Sequence, residues 1–196
     1  MAILFNMKKI LVIDCGSTKV PEIEKFLSVN NFLFETIQLN QLNSIETYSH
    51  IIVSGAPILL TKVDHSIYLQ KAAILFSNNY IPVLGICFGH QLMGLFHGAT
   101  ISLCNESRTW EKIELVSTFD LLPQHQKSVV MFEDHCECIS LPKKFKLIAS
   151  SVTCINEAMM HDQYPWYGVQ FHPEVSEAQG HELMLNFINL TNTYIQ

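Results

Sequence analysis

The chain has 196 residues, of which 48% are hydrophobic, and this length and composition predict one domain with a substantial buried core. Its formal net charge is −6, and Arg108 is the only arginine. A chain with so few guanidinium groups and no basic cluster is not expected to bind nucleic acid or an anionic membrane surface.

Neither a membrane span nor a secretory signal is predicted. The apolar runs fall short of the roughly 18 residues that a transmembrane helix needs. Residues 1–6 lack the basic residues that begin a signal peptide, and we expect them to form a loose extension. The six cysteines follow no disulfide-framework spacing, so we expect them to be reduced and the protein to be cytoplasmic.

The first half of the sequence alternates predicted strands and helices. Apolar runs predict strands at 9–14, 32–39 and 50–54, and helical periodicity predicts helices at 20–29 and 66–76. This alternation predicts an α/β fold, in which a doubly wound, mostly parallel sheet is flanked by helices. Ligands of such sheets bind beyond the carboxyl ends of the strands.

The second half of the sequence is richer in strands. The predicted strands lie at 110–116, 128–133, 146–151 and 166–171, and a predicted helix at 177–190 follows them. No internal repeat, low-complexity tract or linker divides the sequence, so we expect residues 1–196 to form a single domain.

A candidate nucleophile lies where the strand after the second helix ends. Apolar residues 82–86 lead into Gly85-Ile86-Cys87-Phe88-Gly89, and a helical run follows. The pattern is typical of a nucleophile elbow, a sharp strand-to-helix turn that needs small residues because two backbones approach closely. A helix N-terminus would favour the thiolate form of Cys87. The same five residues are equally consistent with a buried structural cysteine, so a catalytic role requires a base elsewhere.

A candidate base follows the last predicted strand, at His172-Pro173-Glu174. An imidazole activates a cysteine by taking its proton, and it needs an acceptor on its second nitrogen to fix its tautomer. Residues two apart point to the same side of an extended chain, so Glu174 can supply that acceptor to His172. The pattern therefore predicts a catalytic triad of Cys87, His172 and Glu174.

These motifs resemble those of a known family. Residues 85–92 and 168–174 are similar to the cysteine and histidine motifs of class I (triad) glutamine amidotransferases. Residues 10–17, 52–57 and 180–187 are similar to the opening strand, the oxyanion loop and the closing helix of the GMP synthase glutaminase branch. The resemblance covers nearly the whole chain and implies the flavodoxin-like fold of that family.

The resemblance implies that the chain hydrolyses the side-chain amide of L-glutamine and uses no cofactor. Cys87 would form a γ-glutamyl thioester, His172 would transfer protons, and Glu174 would orient His172. No ATP-binding loop of the Ser-Gly-Gly-x-Asp-Ser type follows in the sequence. The released ammonia would therefore pass to an acceptor on a separate synthetase, as in GMP synthase.

The resemblance also implies the remaining site residues. The backbone N–H groups of Phe88 and of Gly55-Ala56 would form the oxyanion hole, and Gln91 would contact the substrate. Ala56 stands where the family has a second glycine. Its amide can still donate, provided that the turn does not require a positive φ at this position.

Other positions depart from the family pattern. Residues 134–137, Asp-His-Cys-Glu, replace the Ser-His-Gly-Asp of a family loop, which affects contacts with substrate or partner. His90 replaces an apolar residue of the elbow helix, and we expect it to be exposed and without a role. His135 with Cys136 and Cys138 is a weak zinc pattern, because zinc sites usually have a second ligand pair at defined spacing. We therefore expect no metal site.

Two other functions remain open from the sequence. The altered residues 134–137 are also consistent with a stand-alone γ-glutamyl hydrolase or peptidase of the same fold. A non-catalytic regulatory or binding protein of the same fold is the third alternative, and the presence of all three triad residues argues against it.

Overall fold

The central feature of the fold is a nine-stranded sheet. A computed structural model describes residues 9–77 and 80–190, so the expected extension at 1–6 lies outside the described residues. The strands in chain order are β1 (Lys9–Asp14), β2 (Phe34–Gln38), β3 (Tyr48–Val53), β4 (Val83–Ile86), β5 (Ile101–Ser107), β6 (Trp110–Leu115), β7 (Ser128–Phe132), β8 (His135–Ile139), β9 (Phe145–Ser150), β10 (Ala158–His161) and β11 (Trp166–Val169).

The sheet has a parallel part and an antiparallel part. Its strand order is β2-β1-β3-β4-β11-β10-β9-β6-β7. The strands from β2 to β11 pair in parallel, and those from β11 to β7 pair antiparallel. Strands β5 and β8 pair antiparallel outside this sheet and form a separate two-stranded ribbon, the β5–β8 ribbon. The predicted α/β architecture and strand-rich second half are confirmed.

Helices cover both faces of the parallel part. They are α1 (Val20–Val29), α2 (Ser66–Phe76), α3 (Phe88–Phe96) and α4 (Glu177–Ile188). Apolar side chains of α1 and α4 belong to one hydrophobic cluster, and those of α2 and α3 belong to the other. Strand β1 contributes to both clusters, through Ile10 and Val12 on one side and Leu11 and Ile13 on the other. Burial on both faces explains its continuous apolar sequence.

No helix in the described ranges has the length and apolar character needed to cross a membrane.

Three strands differ from the sequence-based expectation. The prediction did not include β5, β8 or β10, and it treated residues 134–137 as part of a loop. His135 to Glu137 belong instead to β8, which reads His-Cys-Glu-Cys-Ile. This sequence has few of the residues that mark strands, and its partner β5 precedes it by about thirty residues, so pairing rather than local propensity forms the ribbon.

The packing of α4 against the turn that follows β11 depends on Gly180. A Cβ atom at this position would lie 2.1 Å from the carbonyl oxygen of Pro173 and 2.7 Å from Cβ of Ser176. Neither neighbour can move without shifting the short 3-10 turn Pro173–Val175. Any side chain here would therefore force the helix and this turn apart.

We expect Gly180→Ala to lower the free energy of unfolding by about 1–3 kcal/mol, because the added methyl group overpacks this contact. Urea unfolding followed by circular dichroism measures the effect. Glu182→Ala, at an exposed position of the same helix, serves as the control and should change the free energy by no more than about 0.5 kcal/mol. Equal effects of the two substitutions would contradict the close-packing account.

Candidate active site

Cys87 occupies the sharp turn between β4 and α3. Its backbone has φ +50° and ψ −102°, a conformation that non-glycine residues rarely adopt, and its N–H donates to the carbonyl of Val169 at 2.8 Å. A Cβ at Gly89 would lie 2.4 Å from the carbonyl oxygen of Val53, and one at Gly85 would lie 2.6 Å from the carbonyl carbon of Gly89. The turn therefore has the backbone strain and the close approach typical of a nucleophile elbow.

His172 and Glu174 form a buried pair just beyond the end of β11. The distance between Nδ1 of His172 and Oε1 of Glu174 is 2.8 Å, and both side chains are almost fully buried. The N–H of His172 donates to the carbonyl of Phe132 at 2.9 Å, and the hydroxyl of Ser176 donates to the carbonyl of His172 at 2.6 Å. These bonds fix the backbone of His172, and the contact with Glu174 orients its ring.

The surroundings of His172 favour a charged ring. Burial alone would lower the pKa of His172, because a charged group loses solvation. The Glu174 carboxylate and hydrogen bonds to Cys87 and Glu174 outweigh burial and raise the pKa to about 10. The site can therefore hold an imidazolium next to the Cys87 sulfur at neutral pH.

Cys87, His172 and the turn at Gly55 come together at the carboxyl end of β3 and β4. A Cβ built on Gly55 would lie 3.6 Å from Cβ of Cys87 and 3.2 Å from Cε1 of His172. Cys87 and His172 both line a cavity of about 360 Å³, whose size suits a small molecule. Ala56 lines the same cavity. Its φ is not positive, since the positive-φ non-glycine residues in the described ranges are Asn31, Cys87, Lys144 and Glu177.

Phe88 and Gln91 occupy different positions relative to the cavity. Phe88 is the first residue of α3, and its ring lies against Tyr68 with a centroid distance of 5.5 Å. Only its backbone can therefore take part in the site. Gln91 lines the cavity, and its Nε2 donates to the carbonyl of Glu137 and to Oε1 of Gln170, both at 3.1 Å. These bonds use the amide N–H groups and leave the side-chain carbonyl to accept from a ligand.

Gln170 is a site residue that was not predicted from the sequence. Its Nε2 lies 3.5 Å from Sγ of Cys87 and its Oε1 accepts from Gln91. Its side chain therefore bridges Cys87 and Gln91. Its place two residues before His172 was the only signal in the sequence.

Strand β8 forms one wall of the cavity, and this corrects the expectation for residues 134–137. The Glu137 carboxylate accepts hydrogen bonds from the N–H groups of Leu60 and Thr61, at 2.8 and 2.9 Å, and from the Thr61 hydroxyl at 2.5 Å. It therefore holds the loop that forms the opposite wall. Asp134 pairs with Lys19 at 2.5 Å at the rim, and its carbonyl oxygen lies 4.0 Å from Sγ of Cys87.

The expectation that His90 is exposed was wrong. The side chain is fully buried, because the first turn of α3 packs inside the protein rather than at its surface. Burial lowers the pKa of His90 to about 3, so the ring is uncharged.

Comparison with known proteins finds relatives of one family. A sequence model of the class-I glutamine amidotransferases matches residues 11–190. A protein of Pyrococcus furiosus, named as one subunit of a glutamine-hydrolysing GMP synthase, is 32% identical over 92% of this chain and 97% of its own length. The protein of the same name from Methanococcus aeolicus is 38% identical over 91% of this chain and 95% of its own length.

A solved structure of a protein of the same type is also similar to this chain. The crystal structure of a Thermoplasma acidophilum protein, which its description assigns to the same type of GMP synthase subunit, superposes with a TM-score of 0.80. It is 25% identical in sequence, and the match covers 93% of this chain and 92% of that one. Because the family model spans most of the sequence and the elbow, histidine and glutamate share one site, the chain belongs to the class-I glutamine amidotransferase family.

Proposed function

We propose that the chain hydrolyses the side-chain amide of L-glutamine at Cys87 and supplies the ammonia to a separate synthetase subunit. The observation that carries this proposal is the continuous contact from Cys87 through the His172 ring to Glu174 at the edge of one cavity. This arrangement provides a nucleophile, a base and a group that orients the base.

In the first half of the reaction, the Cys87 sulfur attacks the amide carbon and a tetrahedral oxyanion forms. The N–H of Phe88 has no acceptor within α3, because the first N–H groups of a helix lack an intrahelical partner. It can donate to the oxyanion together with an N–H of the Gly55-Ala56 turn. One donor of this kind contributes about 3 kcal/mol to transition-state stabilisation.

Proton transfer by His172 completes both halves of the reaction. The imidazolium gives its proton to the leaving nitrogen, so the C–N bond breaks and ammonia departs from a γ-glutamyl thioester at Cys87. His172 then takes a proton from a water molecule that attacks the thioester, and glutamate leaves as the sulfur regains its initial form. Glu174 keeps Nδ1 of His172 occupied throughout and stabilises each imidazolium state.

Substrate binding involves the other end of the glutamine molecule. The free side-chain carbonyl of Gln91 can accept a hydrogen bond from the substrate α-amino group. At the rim, Lys19 and Arg108 line the cavity and lie near the Asp134 carboxylate, at 2.5 and 3.8 Å. These opposite charges suit a zwitterionic ligand such as an amino acid.

The relatives support an acceptor on a separate chain. Those from Pyrococcus furiosus and Methanococcus aeolicus are each named as one subunit of a glutamine-hydrolysing GMP synthase, and the chain covers nearly all of their length. A protein named as one subunit implies at least one further subunit, which would carry the amination step. We therefore infer that a GMP-forming synthetase subunit receives the ammonia.

Cys87→Ala should abolish glutamate release from glutamine, because it removes the thiol that is hydrogen-bonded to His172. When the chain is mixed with the GMP synthase subunit encoded in the same genome, glutamine should support GMP formation. Cys87→Ala should abolish that activity while ammonium salts still support it. Glutamate release and GMP formation are measured in the same reactions.

Cys15→Ser is the matched control, because its thiol lies outside this cavity, and it should retain glutamate release. Glutamate release without GMP formation would contradict the assigned acceptor but not the hydrolysis. Faster turnover of γ-glutamyl peptides than of glutamine would favour the stand-alone peptidase. Full glutaminase activity in Cys87→Ala would contradict the proposed nucleophile.

Glu174→Gln tests the charge that holds His172 protonated. Without the carboxylate, burial is no longer outweighed, so the pKa of His172 should fall toward or below its ordinary value of about 6.5. The Cys87 thiolate then loses the positive charge next to it, so alkylation of Cys87 at pH 7 should slow by about tenfold or more. In the variant, alkylation should require a higher pH than in the unmodified chain, because no imidazolium remains to stabilise the thiolate.

The pH dependence of alkylation by iodoacetamide measures this effect. Glu182→Gln, at an exposed position of α4, is the control and should keep the pH profile of the unmodified chain. Identical profiles for Glu174→Gln and Glu182→Gln would show that Glu174 does not set the charge of His172.

A further inference from the structure

A group of cysteine and histidine side chains lies beside the cavity and has no part in the proposed reaction. Cys104 of β5 and His135 and Cys138 of β8 each offer one ligand atom, and these atoms all lie within 4.8 Å of one another. Sγ of Cys104 lies 3.6 Å from Nδ1 of His135. Two thiols and one imidazole at such short mutual distances are typical of a site for a thiophilic metal ion.

The separation of Sγ of Cys104 from Nδ1 of His135 matches that expected for two ligands of tetrahedral zinc. Zinc binds sulfur at about 2.3 Å and imidazole nitrogen at about 2.0–2.1 Å, and tetrahedral angles then place the two ligand atoms about 3.6 Å apart. The separation of Sγ of Cys104 from Nδ1 of His135 has this value. The two atoms, which contact each other directly in the absence of metal, are therefore at a separation that a shared Zn²⁺ ion requires.

The irregular pairing of the β5–β8 ribbon brings the three side chains together. Ser102 pairs with Cys138, and the register shifts between Leu103 and Ser107, the segment that contains Cys104. An irregularity of this kind redirects the side chains of the bulged strand. It turns Cys104 toward His135, although the two residues are 31 positions apart in sequence.

The surroundings of His135 also suit a metal ligand. Its second ring nitrogen, Nε2, lies 3.1 Å from Oε2 of the fully buried Glu133, close enough for an ion pair but outside hydrogen-bond geometry. Histidines that bind metals usually direct the other nitrogen to a carboxylate, which fixes the ring and makes it a better ligand. A further thiol is adjacent, because Cys154 is buried and hydrogen-bonded to the thiol of Cys138.

We propose that Cys104, His135 and Cys138 bind one Zn²⁺ ion, with the Glu133 carboxylate next to the second ring nitrogen of His135. Binding replaces the two thiol protons, which pass to solvent as the Zn–S bonds form. No metal site was expected from the sequence, and the weak pattern considered there included Cys136. The structure instead groups Cys104 with His135 and Cys138, and Cys136 lines the cavity.

The position of this site gives it a structural role next to the catalytic residues. The ion would link β5 to β8 across their irregular pairing. Residue Asp134 immediately precedes β8, and its carbonyl oxygen is 4.0 Å from Sγ of Cys87. The Glu137 carboxylate on the same strand holds the loop across the cavity. Zinc would therefore stabilise one wall of the cavity, which His135 itself helps to form.

The test measures metal binding to the full chain carrying Cys87→Ala, so that Cys87 and His172 cannot hold the ion. After incubation with Zn²⁺ and gel filtration, mass spectrometry of the metal should find one Zn²⁺ per chain. Co²⁺ in place of Zn²⁺ should produce the intense near-ultraviolet charge-transfer absorption of Co²⁺–thiolate bonds. Both measurements are independent of enzymatic activity.

Cys104→Ser and Cys138→Ser, each added to Cys87→Ala, remove one proposed ligand. Loss of an orienting partner alone typically costs 10–100-fold in metal affinity, so loss of a ligand should cost at least about a hundredfold. Cys136→Ser in the same background is the matched control, because it removes a thiol from the same strand outside the group. It should leave the affinity for Zn²⁺ unchanged.

Several results would overturn the proposal. They are the absence of bound Zn²⁺ at micromolar concentrations, unchanged affinity in folded Cys104→Ser, and a disulfide between Cys104 and Cys138 in freshly purified protein. Bound Co²⁺ without thiolate absorption would place the ion instead at Glu133, His135 and Glu157, whose ligand atoms also lie within 4.8 Å of one another. If the serine variants do not fold, the Co²⁺ spectrum of the Cys87→Ala chain alone decides the question.

Discussion

The site depends on one interaction, in which a carboxylate stabilises the positive charge of a buried histidine ring. Burial works against a charged His172, and the Glu174 carboxylate 2.8 Å away outweighs it. The position of that carboxylate depends in turn on the short turn Pro173–Val175, which packs against Gly180 of α4. The packing of α4 against this turn therefore helps to fix the carboxylate next to the His172 ring.

The parallel part of the sheet brings Cys87 to this ring. Strands β4 and β11 are neighbours and run in parallel, so Cys87 and His172 both follow strand ends at the same edge. The third neighbour, β3, ends immediately before the turn at Gly55. The close approach of Gly89 to Val53 then fixes how far α3 lies from β3. The antiparallel part of the sheet and the β5–β8 ribbon extend from this arrangement, and the ribbon forms the cavity wall.

Patterns among residues that are close in sequence predicted the elements that such patterns mark. The bounds of β1, α1 and α2 agree with the prediction because an apolar run or a helical period marks each of them. The elbow and the histidine motif were also predictable, since each depends on residues close in sequence. Features that depend on distant contacts were not: the pairing of β8 with β5, the burial of His90, the bridge from Gln170 to Cys87 and the grouping of Cys104 with His135.

The most direct test of the account is to trap the covalent intermediate. The chain is mixed with glutamine, quenched in acid within the first turnover, digested and measured by mass spectrometry. The account predicts that the peptide containing Cys87 gains the mass of one γ-glutamyl group, and that hydroxylamine removes it as expected for a thioester. Glutamate release without any such adduct, or with the adduct on another residue, would contradict the assignment of Cys87 as the nucleophile.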